Sequence, residues 1–128
     1  MRILLVEDEP VSMFVAYKML KTVFEDCEIT QAIDGSQAIE FYDTYTYDLV
    51  VTDIMMPNVD GIELINYIRS KCDLPIIVVS AFTKDLNPQY KNIVILDKPL
   101  TMQKLKDFKA TIYQASMTCL QDQVDQQK

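Results

Sequence analysis

The chain alternates short apolar segments of strand length with stretches that carry a helical period, and this alternation restricts its fold more than any other feature. Five segments rich in β-branched residues are predicted as strands: 3–6, 29–33, 49–52, 76–79 and 93–96. Strands that alternate with helices form βαβ units, whose right-handed crossovers give a parallel sheet with helices on both faces. Nearly continuous apolar strands are typical of such a covered sheet. We therefore expect an α/β fold with a doubly wound, five-stranded parallel sheet.

Four stretches between or after these strands place apolar residues three and four positions apart, as one face of a helix requires. The second stretch follows the turn Asp34-Gly35, where Ser36 is expected to cap the helix, and Thr101 is expected to begin the fourth. The four apolar faces consist of Met13, Ala16, Tyr17, Leu20, Val23 and Phe24; Ala38, Ile39 and Tyr42; Gly61, Leu64, Ile65 and Ile68; and Leu105, Phe108, Ile112 and Ala115.

One connection and one terminal segment depart from this regular pattern. The connection from Ala81 to Asn92, between the fourth and fifth predicted strands, has twelve residues, which is about the minimum for a parallel crossover. Pro88 would interrupt a regular helix there, so we predict a shortened fourth crossover with a short helix or an irregular loop. At 128 residues the chain fits one domain. That domain is predicted over residues 1–117, followed by a polar C-terminal tail at 118–128.

Charge and hydropathy argue against several classes of function. The formal net charge is −7, whereas a nucleic-acid surface needs clustered Lys and Arg, so no direct contact with nucleic acid is expected. Five of the twelve basic residues do lie between Lys91 and Lys109, as on a solvated helix face or a docking surface. We predict no membrane span and no signal peptide, and hence a cytoplasmic location. Three scattered cysteines and no histidine do not make a zinc site.

Polar residues follow four of the predicted strands, at the edge where an open α/β sheet binds its ligands. Glu7 and Asp8 follow the first strand and Asp53 the third, while Ser80 and Lys98 follow the fourth and fifth. Three carboxylates at one edge repel unless a cation lies among them, and oxygen ligands with open positions suit Mg²⁺ shared with a phosphate. The set predicts phosphoryl transfer, with Asp53 as nucleophile, Lys98 as a charge on a phosphate oxygen and Ser80 as a hydrogen-bond donor.

Each of these residues also has a structural interpretation when it is taken alone. The acids at 7–9 could cap the following helix, because negative charge is favourable at a helix N-terminus. Asp53 could cap the next loop, Ser80 could be an ordinary loop serine, and Lys98 could be the surface end of a strand. Their joint occurrence at four strand ends favours a functional site.

The sequence resembles the receiver domains of two-component response regulators over residues 1 to 117. The resemblance implies a flavodoxin-like strand order, 2-1-3-4-5. The matching segments are Leu5-Val6-Glu7-Asp8-Glu9-Pro10, Asp34-Gly35, Asp48 to Pro57 with Asp60-Gly61, Val79-Ser80-Ala81 and Lys98-Pro99-Leu100.

The resemblance also implies roles for individual residues. Asp53 would be the phosphorylation site, Ser80 and Lys98 would contact the phosphoryl group, and the bond between Lys98 and Pro99 would be cis. Gly61 would supply backbone freedom near the site. The implied Mg²⁺ ligands are Glu7, Asp8, Asp53 and the backbone carbonyl of Met55.

The implied function is that of a phosphoacceptor regulator rather than an enzyme. A histidine kinase or phosphotransfer protein would donate the phosphoryl group, and a downstream protein target would respond, with the chain a monomer or a weak dimer. Receivers usually carry an aromatic residue three positions before the lysine, but here that residue is Ile95. Ile95 and the shortened crossover favour the alternative of a phosphorylation-independent scaffold or binding module. A flavin-binding electron carrier and a Mg²⁺ hydrolase share parts of the pattern and are further alternatives.

Overall fold

The computed structural model describes residues 1–56, 58–81 and 91–111. Within these ranges the chain forms five strands and four helices. The strands are β1 (Arg2–Val6), β2 (Glu28–Ala32), β3 (Leu49–Thr52), β4 (Ile76–Ser80) and β5 (Ile93–Asp97). The helices are α1 (Pro10–Val23), α2 (Gly35–Thr44), α3 (Gly61–Arg69) and α4, which begins at 102 and is described up to 111.

The strands form one parallel sheet in the order β2-β1-β3-β4-β5, as expected. Each predicted strand agrees with the structure to within one residue at either end, because strands covered on both faces are marked by their apolar runs. The connection from β4 to β5 joins neighbouring parallel strands. Its residues 82–90, where we predicted a short helix or a loop, lie outside the described residues, as does the predicted tail.

A hydrophobic core lies on each face of the sheet, and the two cores divide the helices between them. On one face α1 and α4 pack with the strand residues Ile3, Leu5, Leu49 and Val51. On the other, α2 and α3 pack with the alternate strand residues. Full burial of each large aliphatic side chain contributes about 1.5–3 kcal/mol to folding. None of the helices in the described ranges is long and apolar enough to cross a membrane.

The helix starts confirm one predicted cap and correct another. Thr101 Oγ1 accepts a hydrogen bond from Lys104 N at 3.2 Å, as expected of the residue that begins α4. The prediction for Ser36 is wrong, because α2 begins at Gly35 and its cap is Asp34, two residues before Ser36. Asp34 has extended backbone, and its Oδ1 accepts from Gln37 N at 2.8 Å. Because the Asp34 carboxylate already accepts from the Gln37 amide, Ser36 lies inside the first turn and not at the cap.

Candidate functional site

The candidate site lies at the carboxyl edge of the sheet, where the parallel ladder extends past the strands. Val6 and Thr52 are partners in the β1–β3 register, so the residues that follow them, Glu7 and Asp53, emerge side by side. Asp53 N donates to Val6 O at 3.3 Å, and Lys98 N donates to the Ser80 carbonyl at 3.0 Å. In the described part of the chain, the buried polar or charged residues all lie at this edge: Glu7, Thr52, Asp53 and Ser80.

The two carboxylate oxygens of Asp53 have different partners. One oxygen has the contacts of a loop cap, and the other has the contact expected in a functional site. Its Oδ1 accepts from Ile54 N at 2.7 Å and from Met55 N at 3.4 Å, as a loop cap does. Its Oδ2 accepts from Lys98 Nζ at 2.6 Å. Asp53 is only 7% exposed, so these contacts fix the position of a carboxylate that is almost wholly buried.

Three carboxylates come together at this edge. Glu7, Asp8 and Asp53 each offer one oxygen, and these oxygens lie within 4.8 Å of one another. Glu7 and Asp53 are buried while Asp8 is exposed, so the cluster is open to solvent on one side. A set of hard oxygen ligands with an open side suits a hydrated divalent cation such as Mg²⁺.

The charges of the cluster perturb one another. Burial raises the pKa of Glu7, and the charges of Asp53 and Asp8 add to this effect, against the opposing hydrogen bond from Glu9 N and the charge of Lys98. For Lys98 desolvation is the largest single effect and lowers its pKa, but the hydrogen bond to Asp53 and the nearby carboxylates outweigh it, so its pKa is raised. Lys98 Nζ also lies 3.7 Å from Glu7 Oε2. The site therefore holds a charged lysine and favours an additional cation.

The three consecutive acids after β1 have different roles, which sequence alone did not separate. Glu9 caps α1, since its carboxylate accepts from Val11 N at 3.2 Å and from Ser12 N at 2.7 Å. The hydrogen bond from Ser12 N is the main reason that the pKa of Glu9 is lowered. Glu7 and Asp8 belong to the carboxylate cluster instead. The capping interpretation is therefore right for Glu9.

Gly61 lies against the backbone of Asp53, and the reason differs from the one expected. A Cβ at this position would lie 2.2 Å from the Asp53 carbonyl oxygen and 2.7 Å from Ile54 Cα. No glycine in the described residues has a positive φ, so the predicted need for backbone freedom is wrong. The requirement is space, because Gly61 N donates to Ile54 O at 2.8 Å in a close approach of α3 to the loop.

The remaining predicted residues lie around this cluster. Ser80 is buried at the end of β4, and the Lys98–Pro99 bond is cis as the resemblance implied. The Met55 side chain is exposed, and its carbonyl as a metal ligand stays a prediction. Ile95 pairs with Val78 and packs against the core formed with α2 and α3.

Two further contacts at the site were not predicted. Thr52 is buried and its hydroxyl donates to the Asp53 carbonyl at 2.8 Å. A polar residue that closes an otherwise apolar strand was the available signal. Asn58 Nδ2 donates to Asp34 Oδ2 at 3.0 Å, and these residues are too far apart in the chain for any local pattern to connect them.

The chain is similar in sequence to a known protein family. The family model described as the response regulator receiver domain matches residues 3–108. The sensor protein EvgS of Escherichia coli O157:H7 is 32% identical in an alignment 120 residues long, which covers 89% of this chain and 10% of EvgS. The chain thus spans only a small part of that relative.

Two solved structures are similar over most of their length. The receiver domain of the sensor histidine kinase PA1611 from Pseudomonas aeruginosa PAO1, solved with a magnesium ion coordinated in its active site cleft, aligns with a TM-score of 0.72 at 29% identity, covering 84% of this chain and 92% of that one. A CheY-like receiver domain from Methylobacillus flagellatus aligns with a TM-score of 0.76 at 22% identity, covering 87% and 97%. The second likeness concerns the fold alone.

Proposed function

Because the chain belongs to the response regulator receiver domain family, we propose that it is the phosphoacceptor switch of a two-component phosphorelay and takes up the phosphoryl group on Asp53. Receiver domains are signalling modules rather than classical enzymes, and they pair with histidine kinases. The observation that carries the proposal is the environment of Asp53. Its carboxylate lies between Lys98 Nζ, at 2.6 Å, and the oxygens of two other acids.

The carboxylate cluster fits Mg²⁺, with Glu7, Asp8, Asp53 and the Met55 carbonyl as the proposed ligands. The fit rests on the donor set, since carboxylate oxygens within 4.8 Å of one another repel unless a cation joins them. The pKa of Glu7 is raised mainly by burial, and the charges of Asp53 and Asp8 raise it further. When bound, the metal would neutralise charge on the phosphoryl oxygens.

The residues of the chain would divide the work of transfer. An Asp53 carboxylate oxygen attacks phosphorus, and the bond from phosphorus to the donor nitrogen breaks as the new phosphorus–oxygen bond forms. The amides of Ile54 and Met55 hold the other side of the carboxylate in place. Lys98 exchanges its contact with Asp53 for a phosphate oxygen, and the Ser80 hydroxyl donates a further hydrogen bond there.

The proposed switch exchanges its phosphoryl group with one protein and signals to another. The donor is a histidine kinase or a phosphotransfer protein, and the modified domain changes its affinity for a downstream protein by shifting a two-state equilibrium. We propose that this exchange takes place in the cytoplasm.

Intact mass spectrometry with Mg²⁺ and a small acyl phosphate tests the proposal. We expect one added phosphoryl group on the wild-type chain, and none after Asp53→Ala or in excess chelator. Asp43→Asn, which alters an exposed aspartate of α2, is the matched control and should be modified like the wild type. An unmodified wild-type chain would refute the proposal.

A phosphorylation-independent scaffold is the second candidate, and Ile95 is the observation that favours it. An isoleucine held in the strand ladder and the core cannot reorient a ring in response to phosphorylation. Binding of a partner that is equal for the wild type and Asp53→Ala, with and without phosphodonor, would support the scaffold.

A further inference from the structure

The segment that joins Asp53 to α3, residues 54–60, is anchored at its near end. Ile54 contributes both of its backbone polar groups: its amide donates to Asp53 Oδ1 and its carbonyl accepts from Gly61 N. The side chains of Ile54 and Met56 pack against the core on the side of α2 and α3. The described residues of this segment, 54–56 and 58–60, are called the 54–60 loop.

The far end of the same loop is held by α2, an element from a different part of the sequence. Asn58 Nδ2 donates to Asp34 Oδ2 at 3.0 Å. A Cβ on Gly35 would lie 2.1 Å from the Val59 carbonyl oxygen, so the loop and the helix start are in direct backbone contact. The chain contains two glycines, and each lies against one end of this loop.

Asp34 is suited to joining two structures because its carboxylate oxygens have separate partners. Oδ1 accepts from Gln37 N and caps α2, while Oδ2 accepts from Asn58. Asn58 has a φ of 66°, a left-handed conformation that asparagine tolerates better than most residues. A hydrogen bond to a charged acceptor holds this conformation and with it the path of the loop.

We propose that Asp34 and Asn58 are positioning residues for the site: their hydrogen bond fixes the 54–60 loop so that its near end presents the Met55 carbonyl to Mg²⁺. Neither residue touches the reacting atoms. The inference rests on the proposed function. The bond acts on metal affinity, because residues that orient ligands contribute to affinity without being ligands themselves.

An exchange of donor and acceptor tests this inference. In Asn58→Asp two carboxylates face each other and the bond is lost, whereas in Asp34→Asn/Asn58→Asp the amide and carboxylate trade places at the wild-type net charge. Asn58→Gly removes the bond without a change of charge and tolerates the positive φ. The readouts are the Mg²⁺ dependence of phosphorylation by a small acyl phosphate and Mg²⁺ binding by calorimetry.

We expect both single variants to weaken Mg²⁺ binding about fivefold, the size of one net hydrogen bond, with the rate at saturating Mg²⁺ within about twofold of wild type. The double variant should recover wild-type affinity. Tyr67→Phe is the matched control, because it removes the α3–α2 hydrogen bond from Tyr67 OH to Asp43, at 2.6 Å, away from the loop.

Wild-type Mg²⁺ affinity in both single variants would overturn the inference, as would failure of the double variant to recover or an equal loss in Tyr67→Phe. These outcomes are distinct from failure of the proposed function, in which the wild-type chain itself neither binds Mg²⁺ nor accepts a phosphoryl group.

Discussion

The two edges of the sheet carry charged residues in opposite settings. At the amino edge Arg2 and Glu28 are partners in the β1–β2 register, with 3.3 Å between Arg2 Nε and Glu28 Oε2, and their side chains are 49% and 77% exposed. At the carboxyl edge the side chains of Glu7 and Asp53 are each 9% exposed. Water screens the first set of charges, and neighbouring side chains must satisfy the second.

The charges at the two edges therefore differ in their effect on the stability of the fold. An exposed ion pair contributes little, because its attraction is screened and its side chains lose entropy. Burial of like charges costs free energy unless a cation compensates. We therefore expect Mg²⁺ to stabilise the folded domain through the carboxyl edge and not through the amino edge. The predictions below test that contrast.

The largest expected effect is that of Gly61→Ala at the carboxyl edge. The new methyl group would lie 2.2 Å from the Asp53 carbonyl oxygen. Because this oxygen belongs to the backbone, relief of the clash requires a shift of the main chain. We expect a loss of about 3 kcal/mol in the free energy of unfolding, measured by urea denaturation, with slower phosphorylation. Glu63→Ala, at an exposed position of the same helix, is the control and should change stability little. Equal stability of the two variants would show that the loop yields and that the edge is less tightly built.

Mg²⁺ itself should have the next largest effect. Binding to the folded state alone raises the free energy of unfolding by RT ln(1 + [Mg²⁺]/Kd), or about 2.7 kcal/mol at one hundred times Kd. Thermal melts with and without Mg²⁺ measure this directly, with Ca²⁺-free buffer and added chelator as the baseline. Glu7→Gln should lose most of the response, because a proposed ligand is then neutral. A melting temperature that does not respond to Mg²⁺ in the wild type would remove the difference between the edges.

The fold was predictable because its signals are local and redundant. The apolar run of β3 predicted both ends of the strand to the residue, and the polar residues at the ends of four strands indicated the same edge of the sheet. The predictions that were wrong or incomplete concerned features that depend on three-dimensional geometry. Sequence could not show that Glu9 caps a helix while Glu7 turns into the cluster, because consecutive acids look alike to a pattern.

The errors at Ser36 and Gly61 have the same source. The choice of Asp34 over Ser36 as the cap depends on where α2 begins, and the helix begins two residues earlier than a cap at Ser36 would require. Gly61 was correctly connected with the site, but sequence cannot distinguish a glycine that needs a positive φ from one that needs space. The contact of Asn58 with Asp34 joins two loops through the tertiary fold, so no periodicity or motif could indicate it.

The pH dependence of the Mg²⁺-free chain sharpens the contrast further. The pKa of Glu7 is raised above its ordinary value of 4.5 in the folded state, mainly by burial. Its contribution to stability is therefore fully present below pH 4.5 and is lost as the pH rises through the folded pKa. We expect Glu7→Gln to gain stability relative to the wild type as the pH is raised above 4.5, in urea titrations without metal. Saturating Mg²⁺ should reverse the order, since the wild-type anion then has its cation. A difference between the variants that is constant with pH would mean that Glu7 does not titrate in this way.

The smallest effect is expected at the amino edge, where the contrast is easiest to break. Glu28→Gln removes the ion pair with Arg2, but Arg2 keeps its backbone hydrogen bond to Asp48 Oδ2, at 2.8 Å, and its position near the Tyr45 ring. Because both partners are largely exposed, we expect a change of about 0.5 kcal/mol or less. A double-mutant cycle with Arg2→Gln isolates the coupling, and high salt should abolish it because screening acts within a few ångströms at about 1 M. A coupling above about 1 kcal/mol that survives salt would show that the two edges hold their charges in the same way.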